Sequence, residues 1–111
     1  MKALIYQGPG KKAIEDRPAP EIIHSTDAII KITKTTICGT DLHILKGDVS
    51  TCQPGRILGH EGIGVVQKIG SGVTGFKEGE HVLISCITSC SKCEYCRKGM
   101  FSHCVNGGWT L

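Results

Sequence analysis

The chain has 111 residues, 13 basic against 10 acidic side chains, a net charge of +3 and 7 cysteines. That length makes one domain, residues 1–111, able to bury about 60–70% of its unfolded surface, and the mild, mixed charge with few aromatics excludes a basic nucleic-acid face. No apolar run approaches the roughly 20 residues that span a bilayer, and the opening MKALIYQGPGKK lacks the apolar stretch of an export signal, so a cytoplasmic location without membrane or nucleic-acid partners is expected.

Glycine is about twice as frequent as usual, which with the valine and isoleucine content predicts short strands joined by tight turns. Met1 to Gln7 reads as a strand, Gly8-Pro9-Gly10 as a turn, and Lys12 to Arg17 as the return strand. Pro18-Ala19-Pro20 interrupts any regular element. From Asp27 to Ile37, Ala28, Ile30 and Ile32 alternate with Lys31 and Thr33, the period of a strand. Thr40 to Gly47 predicts a short helix with Thr40 as N-cap, Asp41 in the first turn and Gly47 past the end. Ile63 to Ile69 and Glu80 to Cys86 are two more strands, separated by the turn-rich segment 70–79. These strands imply a mainly β domain with short helices (α+β), a barrel or sandwich.

After the last strand, Cys90, Cys93, Cys96 and Cys104 follow one another as C-x2-C-x2-C-x7-C. Four thiolates on one loop can close a tetrahedral shell, and zinc is the commonest metal in such a structural site. A zinc tetrathiolate carries a surplus of negative charge. Lys92, Arg97 and Lys98 are placed to offset it, and Gly99 to let backbone amides turn toward sulfur. A disulfide framework would need an oxidising compartment, and an odd number of cysteines cannot all pair within one chain. An iron–sulfur cluster is the sharper rival, because C-x2-C-x2-C opens a ferredoxin run. That run continues x3-C-P, whereas here the last cysteine is followed by Val105.

A second constellation lies upstream, in Cys38-Gly39-Thr40-Asp41-Leu42-His43 and Gly59-His60-Glu61-x-x-Gly64-x5-Gly70-x-x-Val73. Alone, the cysteine reads as buried packing and the histidine as a surface side chain. With CGTDLH, GHExxGxxxxxGxxV and the four-cysteine loop in this order, the whole chain resembles the N-terminal GroES-like domain of the zinc-dependent medium-chain alcohol dehydrogenases. The resemblance implies a GroES-like β-barrel with a zinc-binding lobe loop at 86–104.

It also implies roles. Cys38 and His60 match ligands of a catalytic zinc, and Glu61 matches a carboxylate beside that metal which in some members ligates it. Asp41 matches the carboxylate that orients the ligating histidine. Thr40 matches the hydroxyl that hydrogen-bonds the substrate alcohol. His43 matches the outer end of a proton relay, the bland alternative being a solvated helix histidine. Cys90, Cys93, Cys96 and Cys104 match the structural-zinc ligands. Val49 and Cys86 match substrate-pocket walls, while Cys52 fits no motif and reads as packing. Gly39 stands where several relatives carry a side chain that reaches the coenzyme pyrophosphate.

The implied reaction is oxidation of a primary or secondary alcohol to an aldehyde or ketone, or its reverse, with NAD or NADP. It uses one structural and one catalytic zinc, in an enzyme that is a homo-oligomer. The sequence contains no G-x-G-x-x-G after a strand. A coenzyme domain is therefore not expected within these residues, and the chain is expected to be the N-terminal portion of a longer enzyme and inactive alone. The other function classes are a non-catalytic zinc-binding module and an iron–sulfur electron carrier. A pure binding module has no use for Cys38 with His60.

Overall fold

The computed structural model describes residues 1–108, so the last residues of the expected domain lie outside the described part. β-forming residues on either side of Gly8-Pro9-Gly10 make a hairpin, in which β1 (Lys2–Gly8) pairs antiparallel with β2 (Lys11–Asp16). The other edge of β1 is covered by residues 55–58. There Tyr6 and Arg56, Gly55 and Tyr6, and Leu58 and Leu4 exchange backbone hydrogen bonds of 2.7–2.9 Å. Ile5, pinned between these two neighbours, has no exposed surface.

Helix α1 (Gly39–Lys46) packs its Ile44 against Tyr6 and Cys52, with Leu45, Val49 and Leu58 around them. Cys52 is thus core packing, as read. The helix ends at Gly47, whose left-handed φ of +88° disfavours any residue with a Cβ. Here an added Cβ would also lie 3.0 Å from the Pro9 ring, so the hairpin turn and the helix end are packed together.

The second sheet is antiparallel in the order β3-β4-β5, with β3 Ala28–Thr35, β4 Gly62–Ile69 and β5 His81–Ile84. Gly64 lets β4 approach β3 closely, because a Cβ there would lie 2.4 Å from the Lys31 carbonyl oxygen. The alternation expected along β3 does not persist. Register shifts between Ile29 and Ile30 and between Ile32 and Lys34 break the two-residue period, leaving Ile29 and Ile30 both half-buried and Ile32 exposed. β5 is shorter than expected, since its pairing with β4 ends at Gly62 opposite Ile84. The fold is mainly β with short helices, and its recorded ladders form two sheets. Among the described residues no helix is long and apolar enough to cross a membrane.

Candidate functional site

Cys38 stands where the chain leaves β3 and enters α1. Its extended backbone (φ −103°, ψ 162°) makes it the helix N-cap, in place of the Thr40 expected from oxygen-based capping rules. Its Sγ accepts from the Thr40 amide at 3.5 Å, and Asp41 Oδ2 accepts from the Cys38 amide at 2.9 Å. This is a capping box with sulfur in the usual hydroxyl position. Thr40 is already helical, and its Oγ1 accepts from the Cys38 thiol at 3.7 Å.

Gly59-His60-Glu61 leads into β4 and brings a ring nitrogen and a carboxylate to the same place. Ligand atoms of Cys38, His60 and Glu61 lie within 4.8 Å of one another. His60 Nε2 is 3.9 Å from Glu61 Oε1, and His60 Nδ1 is 3.5 Å from Asp41 Oδ1. Asp41 is buried, and this Oδ1 has no hydrogen-bond partner. An unsatisfied buried carboxylate oxygen is costly, and a small turn of the imidazole would give it the Nδ1 proton. Nε2 would then be left as a metal donor, the usual arrangement of a histidine ligand backed by a carboxylate. Ligands of one tetrahedral zinc sit roughly 3.3–3.8 Å apart, so these donors need to close by about 1.5 Å at most. A thiolate, an imidazole and a carboxylate are chemically suited to zinc.

The lobe hangs from an antiparallel bridge between Thr88 and Gly108. Within it, α2 (Glu94–Arg97) begins at Cys93, whose Sγ accepts from the Cys96 amide at 3.5 Å, and a single 3₁₀ turn spans Phe101–His103. The sulfurs of Cys90, Cys93, Cys96 and Cys104 all lie within 4.8 Å of one another. All 7 cysteines are free thiols.

Backbone amides converge on the sulfurs: Cys90 N–H and Asn106 N–H donate to Cys104 Sγ at 3.3 and 3.4 Å. Amides of Lys92 and Cys93 hold the Cys90 thiol down to about 6, and those of Cys96 and Val105 lower Cys93. Burial pushes Cys96 up to about 12. A cage of amide donors around clustered sulfurs is what a thiolate–metal site requires. Two details differ from expectation. Gly99 donates to the Cys96 carbonyl at 3.0 Å rather than turning toward sulfur, and Lys98 Nζ pairs with Glu94 Oε1 at 2.6 Å. Ser91 holds a left-handed φ of 59°, a strained tight turn inside the loop that no sequence rule singled out.

Thus Cys38, His60, Glu61, Asp41 and Thr40 converge on one site, and Cys90, Cys93, Cys96 and Cys104 on another. Cys86 lines a hollow of about 400 Å³ beside Glu61, whereas Val49 packs against the Tyr6–Ile44–Cys52 core. His43 lies on the exposed side of α1 with its Nδ1 3.0 Å from Asp48 Oδ2, a partner the sequence reading missed.

The alcohol dehydrogenase GroES-like domain family matches residues 24–111. A zinc-type alcohol dehydrogenase-like protein of Bacillus subtilis, itself uncharacterized, is 42% identical over 104 residues, covering 94% of this chain and 28% of that protein. An alcohol dehydrogenase of Cupriavidus necator is 46% identical over 87 residues, 78% of this chain and 23% of its own. Among solved structures, the apo form of zinc dependent alcohol dehydrogenase 2 from Streptococcus pneumonia superimposes with a TM-score of 0.94 at 58% identity. That match covers 99% of this chain and 32% of that one. Alcohol dehydrogenase TADH from Thermus sp. ATN1 gives 0.92 at 31% identity, covering 100% and 33%. The chain therefore spans about a quarter to a third of the length of these relatives.

Proposed function

The chain belongs to the alcohol dehydrogenase GroES-like domain family, and from that membership we propose that it is the zinc-binding, substrate-handling part of an NAD- or NADP-dependent alcohol dehydrogenase. The observation that carries this reading is the presence of two unlike donor sets. Four sulfurs cluster as a closed, structural-type zinc shell would need, while Cys38, His60 and Glu61 bring together three mixed donors, which on a tetrahedral ion would leave a fourth position for a substrate oxygen.

A zinc ion bound at the mixed set supplies Lewis acidity to the oxygen of an alcohol or carbonyl substrate. Around that position the chain's own groups divide the work. Cys38, fixed as the cap of α1, presents a thiolate at a set angle. Asp41, anchored to the same cap, orients His60. The Thr40 hydroxyl, 3.7 Å from Cys38 Sγ, is placed to hold the substrate hydroxyl and receive its proton. His43, on the solvent side of the same helix, would be the outer end of a relay that takes up a proton passed outward from this position and releases it to water. The hollow beside Glu61 and Cys86 is where the carbon skeleton would lie. Coenzyme binding belongs to other parts of the enzyme, which we read as a cytoplasmic homo-oligomer. A reducing compartment would keep these cysteines available as metal ligands.

The test compares protein purified from its own source with its Cys38→Ser variant, assayed for NAD(P)-dependent oxidation of a panel of primary and secondary alcohols and for zinc. The reading expects oxidation that the variant loses, together with retention of one zinc per chain. Full activity in the variant, or no alcohol-dependent coenzyme reduction by the parent protein, would overturn it.

A further inference from the structure

We propose that Asp48 is a positioning residue for His43: it holds the imidazole in the Nδ1–H form, so that Nε2 is the nitrogen that accepts the relayed proton. The inference rests on the reading of His43 as the outer end of the relay. It starts from how α1 ends. Gly47 takes the left-handed conformation (φ +88°) and its amide donates to the Ile44 carbonyl at 3.0 Å, while the Asp48 amide donates to the His43 carbonyl at 3.0 Å. These crossed bonds are a Schellman closure, in which the second residue past the helix is folded back over the last turn. The closure puts the Asp48 side chain beside His43, where Oδ2 lies 3.0 Å from Nδ1.

A carboxylate can only accept, so the proton of this bond belongs to Nδ1. The tautomer of a neutral imidazole is set by the bond its other nitrogen makes, and here that leaves a lone pair on Nε2. When Nε2 takes a proton, the ring becomes an imidazolium paired with the Asp48 carboxylate. The same Nε2 proton then leaves to water, and Nδ1–H stays in place throughout. With the opposite tautomer Nε2 would already carry a proton and could not receive one. Lys46 is the nearby cation on the helix, one turn from His43 on the sequence, and it offers no acceptor to compete with Asp48.

The experiment is ring-nitrogen NMR of the ¹⁵N-labelled chain at about pH 9, well above the ordinary histidine pKa of ~6.5. The expected result is a protonated Nδ1 and an unprotonated Nε2 on His43. In Asp48→Ala the population ratio should swing several-fold toward Nε2–H, and Asp48→Glu should restore it. The alanine variant keeps the backbone amide that caps α1, so unchanged amide shifts across the helix would show that the fold survives. If those shifts collapse, the parent chain's own tautomer decides the matter. An Nε2–H parent ring, or an Asp48→Ala ring identical to the parent, would overturn the proposal. The reading needs no substrate, so failure of the alcohol assay would remove the relay without altering the tautomer result, and the two failures remain distinguishable.

Discussion

Replacing Cys93 by serine separates a metal ligand from a mere helix cap, because the two roles predict opposite signs. Cys93 starts α2, and its sulfur accepts the Cys96 amide. Serine is a better N-cap than cysteine, so if capping and packing were all, Cys93→Ser would leave the lobe unchanged or slightly firmer. As a zinc ligand the residue behaves differently. Among the described residues the apolar side chains buried in the lobe are Cys96 and Cys104, 6% and 4% exposed, and a helix of 4 residues cannot stand alone. On the proposed reading the lobe is held by zinc on its sulfurs. Free zinc at a thousand times Kd stabilises it by about 4 kcal/mol, and a hundredfold weaker site leaves about 1.4, a loss of about 2.7 kcal/mol. The assay is zinc content after dialysis, joined to hydrogen exchange at the Cys90, Cys96 and Asn106 amides, which face sulfur. The variant should lose its structural zinc and exchange these amides on the order of a hundredfold faster, while β3 and β4 keep their protection. Full zinc content with unchanged exchange would refute the assignment.

At Asp41 the outcome should depend on which atom is changed. Asp41→Asn, which can still accept the Cys38 amide, should keep stability but weaken zinc at Cys38 and His60 by about 10–100-fold, whereas Asp41→Ala should add a capping loss of about 1 kcal/mol seen in thermal melts. Equal stability of the two variants would contradict the capping box. Asp27 has its carboxyl held below the usual value of 3.8 by the His24 and Ile23 amides. Its contribution is complete above the unfolded pKa and is lost as pH falls through the lower folded one, so the melting temperature of Asp27→Asn should decline less than that of the parent below about pH 4. Parallel curves would show that the bonds to Asp27 do not support the turn. Gly64→Ala should cost about 1–3 kcal/mol in denaturant titration, because its Cβ would meet the Lys31 backbone carbonyl as well as the branched Ile30 side chain. An unchanged midpoint would mean that β3 and β4 are farther apart than described.

What could be read from the amino acids follows from the range over which each signal acts. The hairpin, β4 and the end of α1 are announced by β-branched residues and by glycines at turns, all signals of a few residues. The clustering of Cys90, Cys93, Cys96 and Cys104 is legible because spacing on one loop limits where sulfur can go. The start of α1 was misjudged, since capping rules are built on oxygen and Cys38 caps through sulfur. The pattern of β3 failed at its register shifts, which depend on β4 and leave no local mark. α2 and the 3₁₀ turn are too short for any periodicity and are shaped by the sulfurs around them. Asp48 escaped because its partner is reached through a helix closure, five residues from His43 in sequence but in contact in space.

The chemistry of the mixed site is distributed over the two ends of one helix, and that has a mechanical consequence. At the N-terminal end the capping box fixes Cys38 and Asp41, and Asp41 Oδ1 lies 3.5 Å from the ring of His60. At the C-terminal end the Schellman closure fixes His43 against Asp48. Caps are set by backbone geometry, so these groups are held more firmly than side chains on an open loop would be. The helix is itself short, at 8 residues, and depends on Ile44 packed against Tyr6 and Cys52. It is further tied to the hairpin by the Gly10 amide, which donates to the Leu45 carbonyl at 2.7 Å, and by the Pro9 ring lying against Gly47. The opening hairpin brings no group to the donor set, yet it packs against the helix that carries Thr40, Asp41 and His43 and is capped by Cys38. Disturbing the Pro9–Gly47 contact should therefore reach the metal donors through α1.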